Sequence, residues 1–417
     1  MKKLFTVSAL ALAASAALAQ SSSVTIYGIT DVGVSRVSGV KGSSVKLLSS
    51  GIMDGSRLGF RGNEDLGGGY RAIFTLEHRL ELDTGGGSNR PPSGSQLPDR
   101  VSRAASLGLP TQLQPVVTAV AGSIGNTIGV NLGNNFWDRQ AFAGLITPYG
   151  AVLAGRQYTP GYEASVAFDA LGTQSALAFG QVASIPASID IRVSNALAYR
   201  IQMGGFSASA MVAASEGSTT TGRLVGAMAI YKNELFSVGG GFNERKNELG
   251  AKSLTSTVIG ASLNAGPGTA YVQYVKVKDD NPTGLSTIAA TVQPSVGGNT
   301  PQGVATAALV QSAFINGFKQ DANAMHIGYK LPMGVHTFYA AYSKLDDKRP
   351  ADADTTSYGV TYSYALSKRT DINVAAVRFT NSTNAQAAPG GTGYLGGVTT
   401  SAGVDSTSLA MGIRHRF

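Results

Sequence analysis

Arginines recur at even spacing in the first third of the chain. Arg57 and Arg61 share one parity, opposite to Leu58 and Phe60, and Arg71 and Arg79 share one parity, opposite to Phe74 and Leu76. Arg139 is likewise opposite in parity to Phe142. On an extended strand, alternate side chains take opposite faces, so each guanidinium points away from an apolar face. A guanidinium is always charged and carries five rigid donors. Its chemistry here is attraction and orientation of anions, not bond breaking. Reactive groups are scarce. The chain has no cysteine, which excludes disulfides, thiolate metal sites and a thiol nucleophile. His78, His326, His336 and His415 lie far apart, with no metal-binding spacing. No G-x-S-x-G, H-E-x-x-H or P-loop occurs. No cofactor is expected.

The arginines need strands to hold them. Alternation recurs throughout, as in Tyr70–Leu82 and Ser357–Tyr364. Such segments run to about ten residues, longer than the usual five or six of a soluble sandwich, and keep aromatics near their ends. Short connections rich in Gly, Pro and Asn, such as 66–69, 148–150 and 331–334, alternate with long irregular ones. The pattern predicts sixteen strands between 24–38 and 406–417. The expected fold class is all-β, a transmembrane antiparallel barrel of sixteen strands with short periplasmic turns and long extracellular loops. Closure removes the sheet edges that lipid would leave unpaired. Sixteen strands make a ring too wide for side chains to fill, leaving a water channel. An arginine facing mid-bilayer would cost about 2–4 kcal/mol, which also sends these arginines inward or to the interface.

The amino terminus reads as a secretory signal peptide over 1–19. Lys2 and Lys3 precede an alanine-rich apolar stretch, and Ala17-Leu18-Ala19 forms the cleavage motif. Residues 20–417 form the barrel. The net charge of +8 comes from few acids rather than dense bases, and with export it argues against nucleic acid. Two long extracellular loops are expected at 84–136 and 279–322. Within them, 104–137 and 281–318 contain no charged residue. Such stretches are free loop, or they pack on each other, on the wall or on a neighbouring subunit.

Several segments resemble the Gram-negative general porins, the beta-proteobacterial type in particular. Ser56-Arg57-Leu58-Gly59-Phe60-Arg61-Gly62-Asn63-Glu64-Asp65-Leu66-Gly67-Gly68-Gly69 is similar to that family's SRLGF signature, and Asp138 to Leu145 to its NRQAYVGL strand. Gly155-Arg156-Gln157-Tyr158-Thr159-Pro160 resembles the strand entering its constriction loop, and Tyr362–Thr370 and Gly412–Phe417 its last hairpins. The resemblance implies an outer-membrane homotrimer of pores that pass small hydrophilic solutes and ions, each narrowed by a third loop, here 159–192. Outer-membrane lipid, lipopolysaccharide and the barrel assembly machinery are the partners implied. Arg57, Arg71 and Arg139 are the expected wall cations of the constriction, with Arg61 and Arg79 as rim charges. Simple alternation puts Arg156 on the lipid face unless Gly155 bulges; the resemblance places it in the pore. Glu163 and Asp169 are the expected loop acids, with Asp190 capping the loop's return. Wall arginines outnumber loop acids, so a weak anion preference follows. Phe417 continues the lipid-facing parity of Leu409, Met411 and Ile413, and the resemblance makes it an assembly signal. The resemblance also suggests that 104–137 latches a neighbouring subunit. The long inserts depart from the family.

Two other classes fit less well. A barrel lipase or protease needs serine or aspartate near histidine, and no local motif supplies it. A secreted β-sandwich adhesin shares the alternation but not the strand length.

Overall fold

The computed structural model describes residues 22–40, 44–94, 96–127, 131–172, 175–182, 189–218, 220–390 and 397–417. The proposed signal peptide lies outside them. Strand β12 (Gly268–Asp279) shows how alternation becomes architecture. Val272 and Tyr274 are exposed, while Gln273 and Val275, which alternate with them, are buried. One face meets lipid and the other the interior. The same alternation builds β1 (Ser22–Ser38), β2 (Ser44–Ser50), β3 (Arg57–Gly67), β4 (Tyr70–Arg79), β5 (Gln140–Thr147), β6 (Gly150–Tyr158) and β7 (Arg192–Met203). It continues through β8 (Phe206–Ala213), β9 (Leu224–Lys232), β10 (Phe236–Lys246), β11 (Lys252–Ala265), β13 (Gln320–Met333), β14 (His336–Asp347), β15 (Thr355–Ala365) and β16 (Thr370–Asn381). A two-residue hairpin, β17 (Ala387–Ala388) and β18 (Gly397–Val398), precedes the last long strand, β19 (Ser406–Arg416).

Each long strand pairs antiparallel with its neighbours, and β19 pairs back onto β1, closing the ring. β2 and β3 both pair with β1, at its upper and lower halves, so together they make one stave. The barrel therefore has sixteen staves. The closed ring excludes the sandwich. Between β2 and β3 the chain leaves the wall at 51–56. Asp31 holds this excursion: its carboxylate accepts the backbone N–H groups of Ile52, Met53 and Asp54 at 2.7, 2.8 and 2.8 Å.

The segment between β6 and β7 folds into the lumen. It opens with helix α2 (Pro160–Ala167), which packs against β9, β10 and β11. Thr159 caps the helix by accepting Tyr162 N–H. Asn243 bonds both Thr159 Oγ1 and Gly161 N–H, at 2.9 and 3.0 Å. Wall glycines permit the close approach. A side chain at Gly260 would meet Phe168 at 2.4 Å, and one at Gly241 would meet Ala164 at 2.7 Å. Beyond α2, Leu177, Phe179 and Val182 bury against Val258, Val275, Val377 and Phe379 of the wall. The loop thus covers one side of the interior and leaves its passage along the other.

The two uncharged inserts are helical. The first carries α1 (Gln114–Gly125); the second carries α3 (Ile288–Val292) and α4 (Pro301–Phe318). They share one apolar core, in which Val101 and Val117 lie with Val310 and Phe314, all essentially unexposed. Burying each such side chain contributes about 1.5–3 kcal/mol. Of the fates open to these stretches, packing on each other is the one observed. The apolar side of the stretch expected to latch a neighbour is occupied within its own subunit.

Candidate functional site

The wall opposite the loop carries an alternating chain of cations, rings and a carboxylate. Arg61 lies 3.9 Å over the ring of Tyr27. Tyr27 donates its hydroxyl to Glu77 Oε2 at 3.1 Å, and Arg139 Nε donates to Glu77 Oε1 at 2.7 Å. The Tyr158 hydroxyl accepts from Arg139 Nη2 at 3.1 Å and from Arg192 Nη2 at 2.9 Å. Arg192 also lies over the Tyr158 ring, 4.5 Å from its centre. These residues come from β1, β3, β4, the start of β5, β6 and β7. Strand parity puts Tyr27, Arg61 and Glu77 inside, whereas Tyr158 shares the parity of lipid-facing Val152 and turns inward beyond the irregularity at Gly155.

Asp54, on the excursion that Asp31 holds, receives Arg57 at 3.5 Å and Arg414 at 2.6 Å. From the loop, Glu163 receives Arg200 Nη1 at 2.6 Å. Tyr162 stacks on Tyr158 with ring centres 5.2 Å apart. Between wall and loop lies an opening of about 430 Å³. Arg57, Arg139 and Arg200 line it with the carboxylates Asp54 and Glu163; Val166, Met228 and Ile230 complete its sides. Positive charge is in excess. Arg139 is fully buried and acts by its field, whereas Arg57 and Arg200 are partly exposed and can touch a passing solute.

Arg57, Arg139 and Glu163, expected at the constriction, line this opening together. Three other expected residues do not. Arg71 sits near the periplasmic turn of β4 and lines an adjacent hollow of about 520 Å³. Parity gave its face correctly but not its height. Arg156 is not among the residues lining the opening. The bulge at Gly155 is present, with Gly155 at φ 127° and a register shift before Gln157. Yet Arg156 donates to Asp138 O at 2.6 Å and to Ser194 Oγ at 3.0 Å. Asp169 faces away from the opening. Its carboxylate accepts Leu171 N–H and Phe179 N–H, each at 2.9 Å, and lies 3.5 Å from His326 Nε2 on the wall. It folds the loop and seats it.

Arg79 is no rim charge. It is fully buried, with Nε 3.2 Å from Asp138 Oδ2. Asp190 receives Arg245 through both oxygens, at 2.9 and 2.8 Å, closing the loop's return. Sequence reasoning missed Asp54, Glu77, Tyr158, Tyr162, Arg192 and Arg200. Arg200 carried a signal, because it alternates with the lipid-facing Leu197 and Tyr199. Asp54 carried none, since an excursion has no parity.

Among the described residues, no cluster of three or more His, Asp or Glu could hold a metal ion. Comparison with known proteins fits this geometry. Over its full length the chain is 27% identical to outer membrane porin protein 32 of Delftia acidovorans, all of which is covered. It is 25% identical, again with both chains fully covered, to an outer membrane porin protein of Bordetella pertussis. Among solved structures, an anion-selective porin from Comamonas acidovorans superposes with a TM-score of 0.69 at 23% identity, covering 95% of this chain and all of that one. The family model described as Gram-negative porin matches residues 6–384. With a closed sixteen-stave barrel around a charged opening, the chain belongs to the Gram-negative porin family and is a channel of the outer membrane.

Proposed function

We propose that the barrel passes small hydrophilic solutes and ions by diffusion with a weak preference for anions, and that it works as a homotrimer. The observation that carries the preference is the lining of the opening: Arg57, Arg139 and Arg200 against Asp54 and Glu163. Charges act over about 8–10 Å at ordinary salt, so only a narrow place can discriminate ions. Opposed cations and carboxylates also set a field across the passage, which orients polar solutes and makes apolar ones displace ordered water. The relative described as anion-selective supports the same reading. Trimerisation would bury part of an apolar exterior that carries Val24, Ile26, Val272 and Ile327. Phe417, exposed at the end of the last stave, is the residue the assembly machinery would read. Lipopolysaccharide would surround the upper rim.

The test is the reversal potential of single channels in a salt gradient near 0.1 M. An anion-directed potential is expected; a cation-directed one would overturn the preference. Native electrophoresis of unheated and heated protein tests the trimer, and a band of monomer size in both would sink it.

A further inference from the structure

Resting on the porin reading, we propose that the two helical inserts form a fixed roof across the extracellular mouth, sieving solutes by size before they reach the charged opening. The first insert leaves the rim between the third and fourth staves, β4 and β5; the second leaves between the eleventh and twelfth, β12 and β13. Eight staves of a sixteen-stave ring separate these exits, so they face each other across the diameter. Strands about 4.8 Å apart and tilted about 40° give such a ring a diameter of about 32 Å. Two segments rooted on opposite sides share one buried core only by crossing the mouth. Helix α4, at 18 residues, is about 27 Å long, and Gly317 near its end stands just before β13, so contact there requires the first insert to reach the far rim.

The join is tight. A side chain at Gly317 of the second insert would meet Leu107 Cδ2 at 2.8 Å and Val101 Cγ1 at 3.1 Å, both on the first. The roof is also tied around the rim. Glu248, between β10 and β11, accepts Gly284 N–H and Ser286 N–H at 3.0 and 3.2 Å. Arg349, between β14 and β15, donates to Lys319 O at 2.7 Å. Ser93 of the first insert accepts Val398 N–H of the β17–β18 hairpin at 3.2 Å. The crossing helices carry no charge, because 104–137 and 281–318 contain no charged residue. The roof therefore sorts by bulk through its uncharged helices, with charges in the stretch around Asp99–Arg103 and at the rim ties, while the opening below sorts by charge.

The experiment uses the full-length protein in oriented planar bilayers. Neutral polyethylene glycols of graded mass are added to one side at a time, and conductance reports which sizes enter. In the wild type, the roof side should exclude polymers that enter from the periplasmic side. Deletion of 288–318 should remove this asymmetry and leave the reversal potential unchanged. Gly317→Trp, which wedges the join while keeping the chain length, should raise the roof-side size limit in the same direction. A folded channel of either variant with the wild-type roof-side limit would overturn the roof. A shift in reversal potential as large as that from neutralising Arg57 would overturn the division of labour. A wild-type protein that forms no channel would instead count against the porin reading.

Discussion

Arg200 and Glu163 meet at 2.6 Å, joining the wall to the inward loop at the edge of the opening. The pair sets both the local charge and where the loop stands. Arg200 keeps part of its surface toward the passage. Replacing Arg57 and Arg200 together with glutamine should shift the reversal potential toward cations, while Glu163→Gln should shift it toward anions. Both shifts should shrink at 1 M salt, where screening acts within about 3 Å. Variants that keep the wild-type potential at 0.1 M would remove these residues from ion selection.

The same carboxylate gives the channel a pH dependence. Burial pushes the Glu163 carboxyl above its usual range, against the opposing pull of Arg200. Glu163 therefore gains its proton at a higher pH than an ordinary glutamate. Neutralising it leaves Arg200 uncompensated, so anion preference should rise as pH falls through that titration. Reversal potentials measured from pH 8 to pH 4 should show the rise in the wild type and a flatter profile in Glu163→Gln. Equal profiles would assign the titration elsewhere.

Asp169 separates position from charge. It is spent on Leu171 N–H, Phe179 N–H and the neighbourhood of His326. Asp169→Asn should loosen the loop and increase open-channel noise. It should move the reversal potential less than Glu163→Gln does, and a larger shift would return Asp169 to the opening.

Gly260 gives a purely steric test. Phe168 occupies the space its side chain would need. Gly260→Leu should displace the loop and change conductance with every charge intact. Unchanged conductance would show that the loop has another seat.

Removing one member of the buried Arg139–Glu77 pair leaves an uncompensated charge, which costs about 3–5 kcal/mol. Arg139→Ala should therefore lower the melting temperature in detergent more than the double change Arg139→Met with Glu77→Gln. The reverse order would mean that the pair is not the source of the stability.

The staves were legible because alternation is all that a lipid-facing sheet requires. Arg57 and Arg139 were legible for the same reason: strand parity fixes a face. Parity fixes no height along the stave, and Arg71, expected at the constriction, lines a hollow beside the turn at 148–150. Loop residues have no parity, so Asp169 could not be told from Glu163. The β2 stretch Ser44–Ser50 was hidden because the excursion at 51–56 breaks the alternation of its stave. Helix α4 left a readable trace that uncharged composition obscured. Thr300 caps it, Pro301 opens it, and Gly303, Ala307, Val310 and Phe314 recur at helical spacing along its buried side.

The junction of β1 with β19 joins segments almost the whole chain apart: Ile29 stands opposite Arg416, and Gly28 and Phe417 exchange both backbone hydrogen bonds at 3.2 Å. Of all the pairings in the ring, this one spans the greatest stretch of sequence. Every other pair of neighbouring staves is consecutive in the chain, but this seam must be found by diffusion of two distant ends, the slowest kind of contact to form. Until it forms, the nascent sheet keeps two open edges with unpaired amides and carbonyls, able to add a strand from another molecule. Aggregation during biogenesis should therefore track the lifetime of the unsealed ring, and a weakened seam should fail in delivery before it fails in conduction.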